Sequence, residues 1–245
     1  MAFQFDSRVR YSEMGTDRRL TLGSLVNYFQ DCSTFQSELC GQGIDALRQR
    51  HQAWLVLSWQ IEILRRPVLG EKIIAKTWPY AFKAFYGYRH FVLEDEEGGC
   101  LARANSVWVL MDTDTGRPVK VPPKVLKDYP LEPRLEMREF PRKIQEPEGG
   151  KEQEAFPVAK AQIDTNGHVN NSQYIRMAEE YLPDGFETET LRVEYRSQAR
   201  LHDTIVPVVH EQDGTVTVGL HGSGRTVYAV VMFTGHVREE GAKDS

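Results

Sequence analysis

Cysteine is scarce in this chain, and the segments that mark secretion or membrane insertion are missing. The 245 residues include three cysteines, an odd number without CxxC spacing and too few for a secreted disulfide scaffold. We expect free, partly buried thiols. The first residues, Met1–Asp6, contain neither the basic nor the apolar region of a signal peptide. The longest apolar runs are too short to span a bilayer. We therefore expect a cytoplasmic protein.

An excess of positive charge and a phosphate-binding loop are also missing. The chain has 30 Lys and Arg against 35 Asp and Glu, a formal net charge of -5, so no overall field attracts nucleic acid. No glycine-rich phosphate loop is present, and the glycines at 219, 222 and 224 are typical of a hairpin turn. Four histidines lack the spacing of metal ligands: His202, His210, His221 and His236. We expect no nucleic-acid partner and no metal.

Hydrophobic residues are abundant enough for a real core. They make up 40% of the chain, charged residues make up 27%, and the length allows one large or two modest domains. Apolar residues spaced by three and four predict a helix from Leu22 to about Leu39. Alternating patterns then predict four strands, Trp54–Leu64, Glu71–Trp78, Phe85–Glu94 and Leu101–Met111.

A proline-rich stretch divides the chain into two halves. Six prolines between about residues 120 and 155 predict a linker that wraps a surface and is partly ordered. A second helix follows Asn170, which we predict to be its N-cap paired with Gln173, and the pattern continues to Tyr181. Further strands are predicted at Leu191–Tyr195, Thr204–His210, Thr215–Leu220 and Thr226–Thr234. The charged tail, Glu239–Ser245, is expected to fray.

The two halves resemble each other. Met14–Asp31 aligns with Ile163–Glu180, and Ile61–Arg65 aligns with Val193–Ser197. A long helix beside strands too few for a closed barrel suits an antiparallel sheet wrapped around the helix. We predict an α+β protein that contains this unit twice in tandem.

The second half contains the best candidate site. Asp164, Asn166 and His168 place a carboxylate, an amide and an imidazole at alternate positions just before a predicted helix. Backbone N–H groups and the helix dipole there would suit a developing oxyanion. Asp164 could orient or deprotonate a water molecule, and His168 could relay a proton.

The same residue types also form ordinary turns, in which Asp and Asn only satisfy backbone groups. The internal repeat bears on this alternative, because the matching positions of the first half hold Gly15, Asp17 and Arg19. The fold therefore does not require the Asp–Asn–His set. This favours a single site in the second half.

At this point the sequence resembles a known family. The motif Asp164-x-Asn166-x-His168-Val-Asn-Asn171 is similar to the signature of acyl-acyl-carrier-protein thioesterases of plants and bacteria. The resemblance covers nearly the whole chain. Further matching segments are Trp54–Trp59, Arg103–Val109, Val193–Arg196 and Tyr174.

The resemblance implies a double hotdog fold and an enzyme. We expect an N-terminal hotdog domain over 1–130 with the acyl pocket, a linker over 131–155, and a catalytic hotdog domain over 156–240. The family hydrolyses acyl groups from the phosphopantetheine arm of acyl carrier protein, ending chain elongation without a metal or organic cofactor. We expect that carrier as the partner and no membrane. A homodimer stays open, because a tandem chain can mimic a hotdog dimer by itself.

The chain departs from the plant pattern at two positions. Plant members carry an acidic residue followed by cysteine where this chain has Gln198 and Ala199. A cysteine nucleophile at that place is excluded, and Gln198 cannot act as a base, although its amide could position water or the carbonyl. Asp164 then acts as base, or as a nucleophile that forms a transient anhydride, while Asn166 orients the reacting groups.

Three alternatives stay beside this reading. An acyl-CoA thioesterase could use the same fold, and a protein with a decayed site could bind acyl groups without turnover. Cys32 or Cys40 as nucleophile would need a His–Asn partnership, but we expect both to lie on the face of the first-half helix. An acidic carrier would need a basic patch on this protein. Seven arginines either form such a patch or are ordinary surface charge: Arg8, Arg10, Arg18, Arg19, Arg192, Arg196 and Arg200.

Overall fold

The computed structural model describes residues 2–224 and 226–238. These residues form two compact units that divide between Phe140 and Pro141. The segment predicted as a linker, 131–155, is thus shared between the units, and the predicted domain bounds stay a prediction. The tail Glu239–Ser245 lies outside the described residues.

The first unit is an antiparallel sheet packed against a long helix. Its strand order is β1-β3-β4-β5-β2, with the short β6 on β5. The helices are α1 (Leu22–Leu39), α2 (Ile44–Gln49) and α3 (Pro123–Asp128). The strands are β1 (Phe3–Arg8), β2 (Gln52–Ile63), β3 (Lys72–Lys83), β4 (Tyr86–Asp95), β5 (Cys100–Asp112) and β6 (Arg117–Pro118). The predicted helix and four strands are confirmed, while β1 was missed.

Apolar packing holds α1 on this sheet. Thr21 caps the helix by accepting the Ser24 N–H at 3.2 Å, and the residues spaced by three and four face the sheet and are buried. Phe29 lies 6.1 Å from Trp59 and 5.2 Å from Phe91, measured between ring centroids. Burial of each such ring contributes roughly 2–3 kcal/mol.

The second unit repeats this arrangement with a shorter helix. Its strand order is β9-β12-β11-β10-β7, with β8 also on β10. The elements are β7 (Lys151–Glu152), β8 (Phe156–Pro157), α4 (Asn171–Glu179), β9 (Phe186–Tyr195), β10 (Thr204–Gln212), β11 (Thr215–His221) and β12 (Val227–Val237). The predicted strands are confirmed. The helix ends at Glu179, so Tyr181 lies beyond it.

The internal repeat extends to individual hydrogen bonds. A 3-10 turn precedes the helix in both units, at Tyr11–Glu13 and Lys160–Gln162. An antiparallel bridge follows, Met14 with Leu20 and Ile163 with Val169. Equivalent residues thus close equivalent loops, which confirms the predicted tandem repeat.

The proline-rich segment crosses a sheet face in each unit. In the first unit, Trp78 Nε1 donates to the Pro133 carbonyl at 2.9 Å. In the second, Arg192 Nη2 donates to the Pro141 carbonyl at 2.6 Å, and the Ile144 N–H donates to Glu194 Oε2 at 2.9 Å. The segment is therefore ordered by contacts to its own unit on either side of the division.

Candidate functional site

The loop before α4 brings Asp164, Asn166 and His168 together. The Asp164 N–H donates to the His168 carbonyl at 2.8 Å, and the Gly167 N–H donates to the Asp164 carbonyl at 3.1 Å. Gly167 has φ +78°, a left-handed conformation that glycine adopts without steric cost. The tight turn therefore presents three of the predicted site residues from one short loop.

Asp164 has a structural task in this loop. Its Oδ1 accepts the Asn166 N–H at 2.8 Å and the His168 N–H at 3.4 Å, so the alternative of a turn-forming aspartate is partly right. Its Oδ2 has one long contact, to Asn166 Nδ2 at 3.5 Å. Backbone donors on Oδ1 hold the carboxylate in place and leave Oδ2 as the oxygen available to water.

His168 is half-buried beside this carboxylate. Its Nδ1 is enclosed and has no hydrogen-bond partner among residues 2–224 and 226–238. An enclosed polar atom without a partner is costly, so Nδ1 does not hold the imidazole in place by a hydrogen bond within the described part of the chain.

The start of α4 differs in detail from the prediction. Asn170 is the N-cap as predicted, but its Oδ1 accepts from the N–H and Oγ of Ser172, both at 3.0 Å, instead of pairing with Gln173. The Gln173 N–H donates to the Asn170 carbonyl at 2.9 Å. These two N–H groups are occupied, so they are not the free backbone donors that were predicted for an oxyanion at this place.

Gln198 lies in a segment that is fixed next to the loop. Both peptide groups of Ala199 are bound, because its carbonyl accepts the Val169 N–H and its N–H donates to the Tyr174 hydroxyl, each at 2.9 Å. Gln198 itself is exposed, and its amide has no hydrogen-bond partner in the described part of the chain. The hydrogen bond between Tyr174 and Ala199 was not predicted from the sequence. The available signal was the difference between Tyr174 and Leu25, the residue at the matching position of the first half.

Cys32 is not an alternative centre, and neither is a metal site among the described residues. Cys32 is buried, its Sγ donates to the Ala75 carbonyl at 3.3 Å, and burial raises the pKa of the thiol to about 12. The nucleophilic thiolate is therefore disfavoured there. Within residues 2–224 and 226–238, no group of three or more His, Cys, Asp or Glu is placed to hold a metal ion, and no helix combines the length and apolar character needed to cross a membrane.

Both halves of the chain match domains of one known protein family. The N-terminal domain of acyl-ACP thioesterases matches residues 1–129, and the C-terminal domain of the same family matches residues 145–232. The chain belongs to the acyl-ACP thioesterase family. The predicted resemblance is thereby confirmed.

Plant acyl-ACP thioesterases are among its relatives. The chain is 27% identical over 241 residues to oleoyl-acyl carrier protein thioesterase 1 of Arabidopsis thaliana, covering 87% of this chain and 67% of the relative. It is 24% identical over 238 residues to the dodecanoyl-[acyl-carrier-protein] hydrolase of Cinnamomum camphora, covering 90% of this chain and 62% of the relative. The chain thus spans about two thirds of the length of these curated proteins.

Solved acyl-ACP thioesterase structures share its fold. One from Bacteroides thetaiotaomicron has a TM-score of 0.87 at 21% identity, covering 96% of this chain and 98% of that one. The 12:0-ACP thioesterase from Umbellularia californica has a TM-score of 0.84 at 19% identity, covering 97% and 98%. These likenesses confirm the double hotdog fold of this acyl-ACP thioesterase family member.

Proposed function

We propose that the protein hydrolyses the thioester of acyl–acyl carrier protein and releases a free fatty acid, which ends chain elongation. The observation that carries the proposal is the loop 164–168, which holds a carboxylate, an amide and an imidazole within one turn. The segment that carries Gln198 is bound next to it, through the Val169 N–H and the Ala199 carbonyl. Membership of the acyl-ACP thioesterase family supports this substrate class.

Asp164 is the proposed base. Oδ1 is held by backbone donors, so Oδ2 takes the proton of the attacking water while the water oxygen bonds to the thioester carbon. The tetrahedral intermediate then collapses, the C–S bond breaks, and the thiolate leaves with the proton returned through His168. Attack by Asp164 Oδ2 itself, with hydrolysis of the resulting anhydride, would give the same products.

The amides of Asn166 and Gln198 are the proposed partners of the carbonyl oxygen or of the attacking water. Each amide nitrogen has two protons to donate, and neither side chain makes a strong hydrogen bond to another described residue. Donors aimed at charge that develops in the transition state contribute more than donors that bind the ground state.

The remaining parts of the proposal concern the whole protein. We assign catalysis to the C-terminal domain over 156–240 and the acyl pocket to the N-terminal domain over 1–130, with the carrier and its phosphopantetheine-linked acyl chain as partner in the cytoplasm. The hydrolysis itself needs only water and the side chains described above.

The test measures free-thiol release from acyl carrier proteins loaded with saturated acyl chains of different lengths, and from the matching acyl-CoAs. Wild type should release thiol from carrier substrates, and Asp164→Asn should lose about 10²- to 10³-fold in kcat because the isosteric amide cannot accept a proton. Asp17→Asn, in the equivalent loop of the first unit, is the matched control and should keep full activity.

Other outcomes would replace the proposal. Equal rates on acyl-CoA and on acyl carrier protein would favour a coenzyme A thioesterase. Tight acyl binding without any thiol release would leave a non-catalytic binding protein. Full activity in Asp164→Asn would move the base to another residue, with His168 and a water held by Gln198 as the next candidates.

A further inference from the structure

Tyr174 is a buried tyrosine with its hydroxyl bound to backbone. It is 2% exposed, and the hydroxyl accepts the Ala199 N–H at 2.9 Å. Its ring packs edge-on against Tyr195, with centroids 5.8 Å apart, and the Tyr195 hydroxyl donates to the Asn171 carbonyl at 2.9 Å. Burial raises the pKa of Tyr174 to about 12, so the phenol is neutral and does not act as a base.

The first unit lacks this hydrogen bond at equivalent positions. The Leu20 N–H donates to the Pro67 carbonyl at 2.9 Å there, just as the Val169 N–H donates to Ala199. The residue that matches Tyr174 is Leu25, which has no hydroxyl, and the residue that matches Ala199 is Pro67, which has no N–H. Donor and acceptor are thus both present in one unit and both absent in the other.

The first unit holds the same segment by a different contact. Arg66, one residue before Pro67, forms an ion pair with Asp17 across the loop. The matching residues of the second unit are Gln198 and Asn166. Neither of them carries a charge, so these two residues cannot form that ion pair in the second unit.

We propose that Tyr174 is a positioning residue that replaces the cross-loop ion pair. By binding the Ala199 N–H from the core side, it fixes the segment that carries Gln198, so the amides of Gln198 and Asn166 need not bind each other and stay directed at the substrate. This inference rests on the proposed function, because it assigns those amides to the reaction.

The experiment removes the hydroxyl alone. Tyr174→Phe keeps the ring in the core but leaves the Ala199 N–H unbound. We expect kcat on acyl carrier protein to fall about tenfold or more while KM changes less than about threefold, because an amide used in the transition state loses its position. Tyr181→Phe, beyond the end of α4, is the matched control and should leave both constants unchanged.

A second variant tests the partner. Ala199→Pro copies Pro67 and removes the N–H at a place where the equivalent backbone already accepts proline. If Tyr174 acts through this N–H, Tyr174→Phe should lower kcat in the wild-type background and have little further effect in the Ala199→Pro background. An equal loss in both backgrounds would overturn the inference, because Tyr174 would then act by another route.

Amide hydrogen exchange gives a readout that does not need activity. Exchange at Ala199 should be faster in Tyr174→Phe than in wild type. Exchange at Leu20, whose N–H donates to the Pro67 carbonyl in the first unit, is the internal reference. Unchanged exchange, or an unchanged kcat in an active enzyme, would overturn the positioning role alone. A wild type that releases no thiol would overturn the proposed function, and the exchange result would then still show whether Tyr174 anchors the segment.

Discussion

The loop 15–19 of the first unit and the loop 164–168 of the second unit share a backbone and differ in their side chains. The Gly15 N–H donates to the Arg19 carbonyl at 2.9 Å, as the Asp164 N–H donates to the His168 carbonyl at 2.8 Å. A left-handed residue follows in each loop, Arg18 with φ 63° and Gly167 with φ 78°.

This comparison separates what the fold needs from what the chemistry needs. The fold needs the turn, the bridge and a capped helix, and both units have them. The first loop even accepts an arginine in a conformation that costs an L-residue about 1–2 kcal/mol. The carboxylate, amide and imidazole of the second loop are not required for the turn, and the proposed catalysis would account for their presence.

The largest effect on kcat is expected when the second loop is given the charged pair of the first loop. Asn166→Asp combined with Gln198→Arg copies the Asp17–Arg66 ion pair into the second unit. We expect kcat to fall by about 10²- to 10³-fold, because two amide donors are lost. Stability should change by less than about 1 kcal/mol, because a partly exposed ion pair contributes little. Thiol release and urea unfolding measure the two effects.

The variant Gln198→Leu removes the amide without adding a charge, so it separates the loss of the amide from the effect of the new charges. It removes the amide at nearly constant volume and should lower kcat by about tenfold or more. The reciprocal pair in the first unit, Asp17→Asn with Arg66→Gln, should leave activity intact. If both second-unit variants keep full activity, the two amides have no part in the reaction.

Much of the fold could be predicted because burial imposes a period on the sequence. The spacing of Leu22, Leu25 and Phe29 predicted the position of α1, since only one face of that helix can be buried. The repeat located the second loop by its offset from the first. Strand β1 was missed because its alternation is short and its partner is distant, with Phe3 opposite Thr77.

The candidate site was predictable as a motif but not as a set of contacts. Asp164 and His168 could be chosen from residue types, whereas the bond between Tyr174 and Ala199 joins a side chain to a backbone N–H far along the chain. No periodicity encodes such a pair. Arg192 was grouped with possible surface charges, because its contact is also with backbone far along the chain. In the structure it donates to the Pro141 carbonyl and so holds the proline-rich segment.

A second contrast concerns one histidine from each unit. His90 Nε2 in the first unit and His168 Nδ1 in the second are both enclosed without a partner among the described residues. His90 is 1% exposed, its ring stacks on Tyr80 at 4.3 Å, and its Nδ1 lies 3.2 Å from the Ala104 carbonyl. We interpret His90 as a neutral core residue. His168 is half-buried and lies in the loop with Asp164, where we propose that it relays a proton.

The pH dependence of the free energy of unfolding should show that His90 is neutral in the folded protein. Burial lowers the pKa of His90 from 6.5 to about 4. Between those values the unfolded chain binds the proton and the folded chain does not, so stability falls as the pH drops. The loss should reach about 3 kcal/mol by pH 4. Urea unfolding can follow it by tryptophan fluorescence, since all four tryptophans lie in the first unit.

Two variants isolate the contribution of His90 from that of the carboxylates. His90→Asn should remove this part of the pH dependence. His51→Asn should retain it, because His51 is exposed and asparagine tolerates its left-handed backbone. An unchanged slope in His90→Asn would mean that His90 is already charged in the folded protein.

The smallest expected effect tests whether the ion pair of the first loop only supports the fold. Arg66→Gln gives the first unit the residue that the second unit has at Gln198. The Arg66 side chain is 13% exposed and that of Asp17 is 37% exposed, so we expect a loss of about 1 kcal/mol. Salt should shrink the loss, because added ions screen partly exposed charges. Tryptophan fluorescence during urea unfolding, with and without added salt, measures it; a tenfold loss of kcat would instead assign the first loop a part in the reaction.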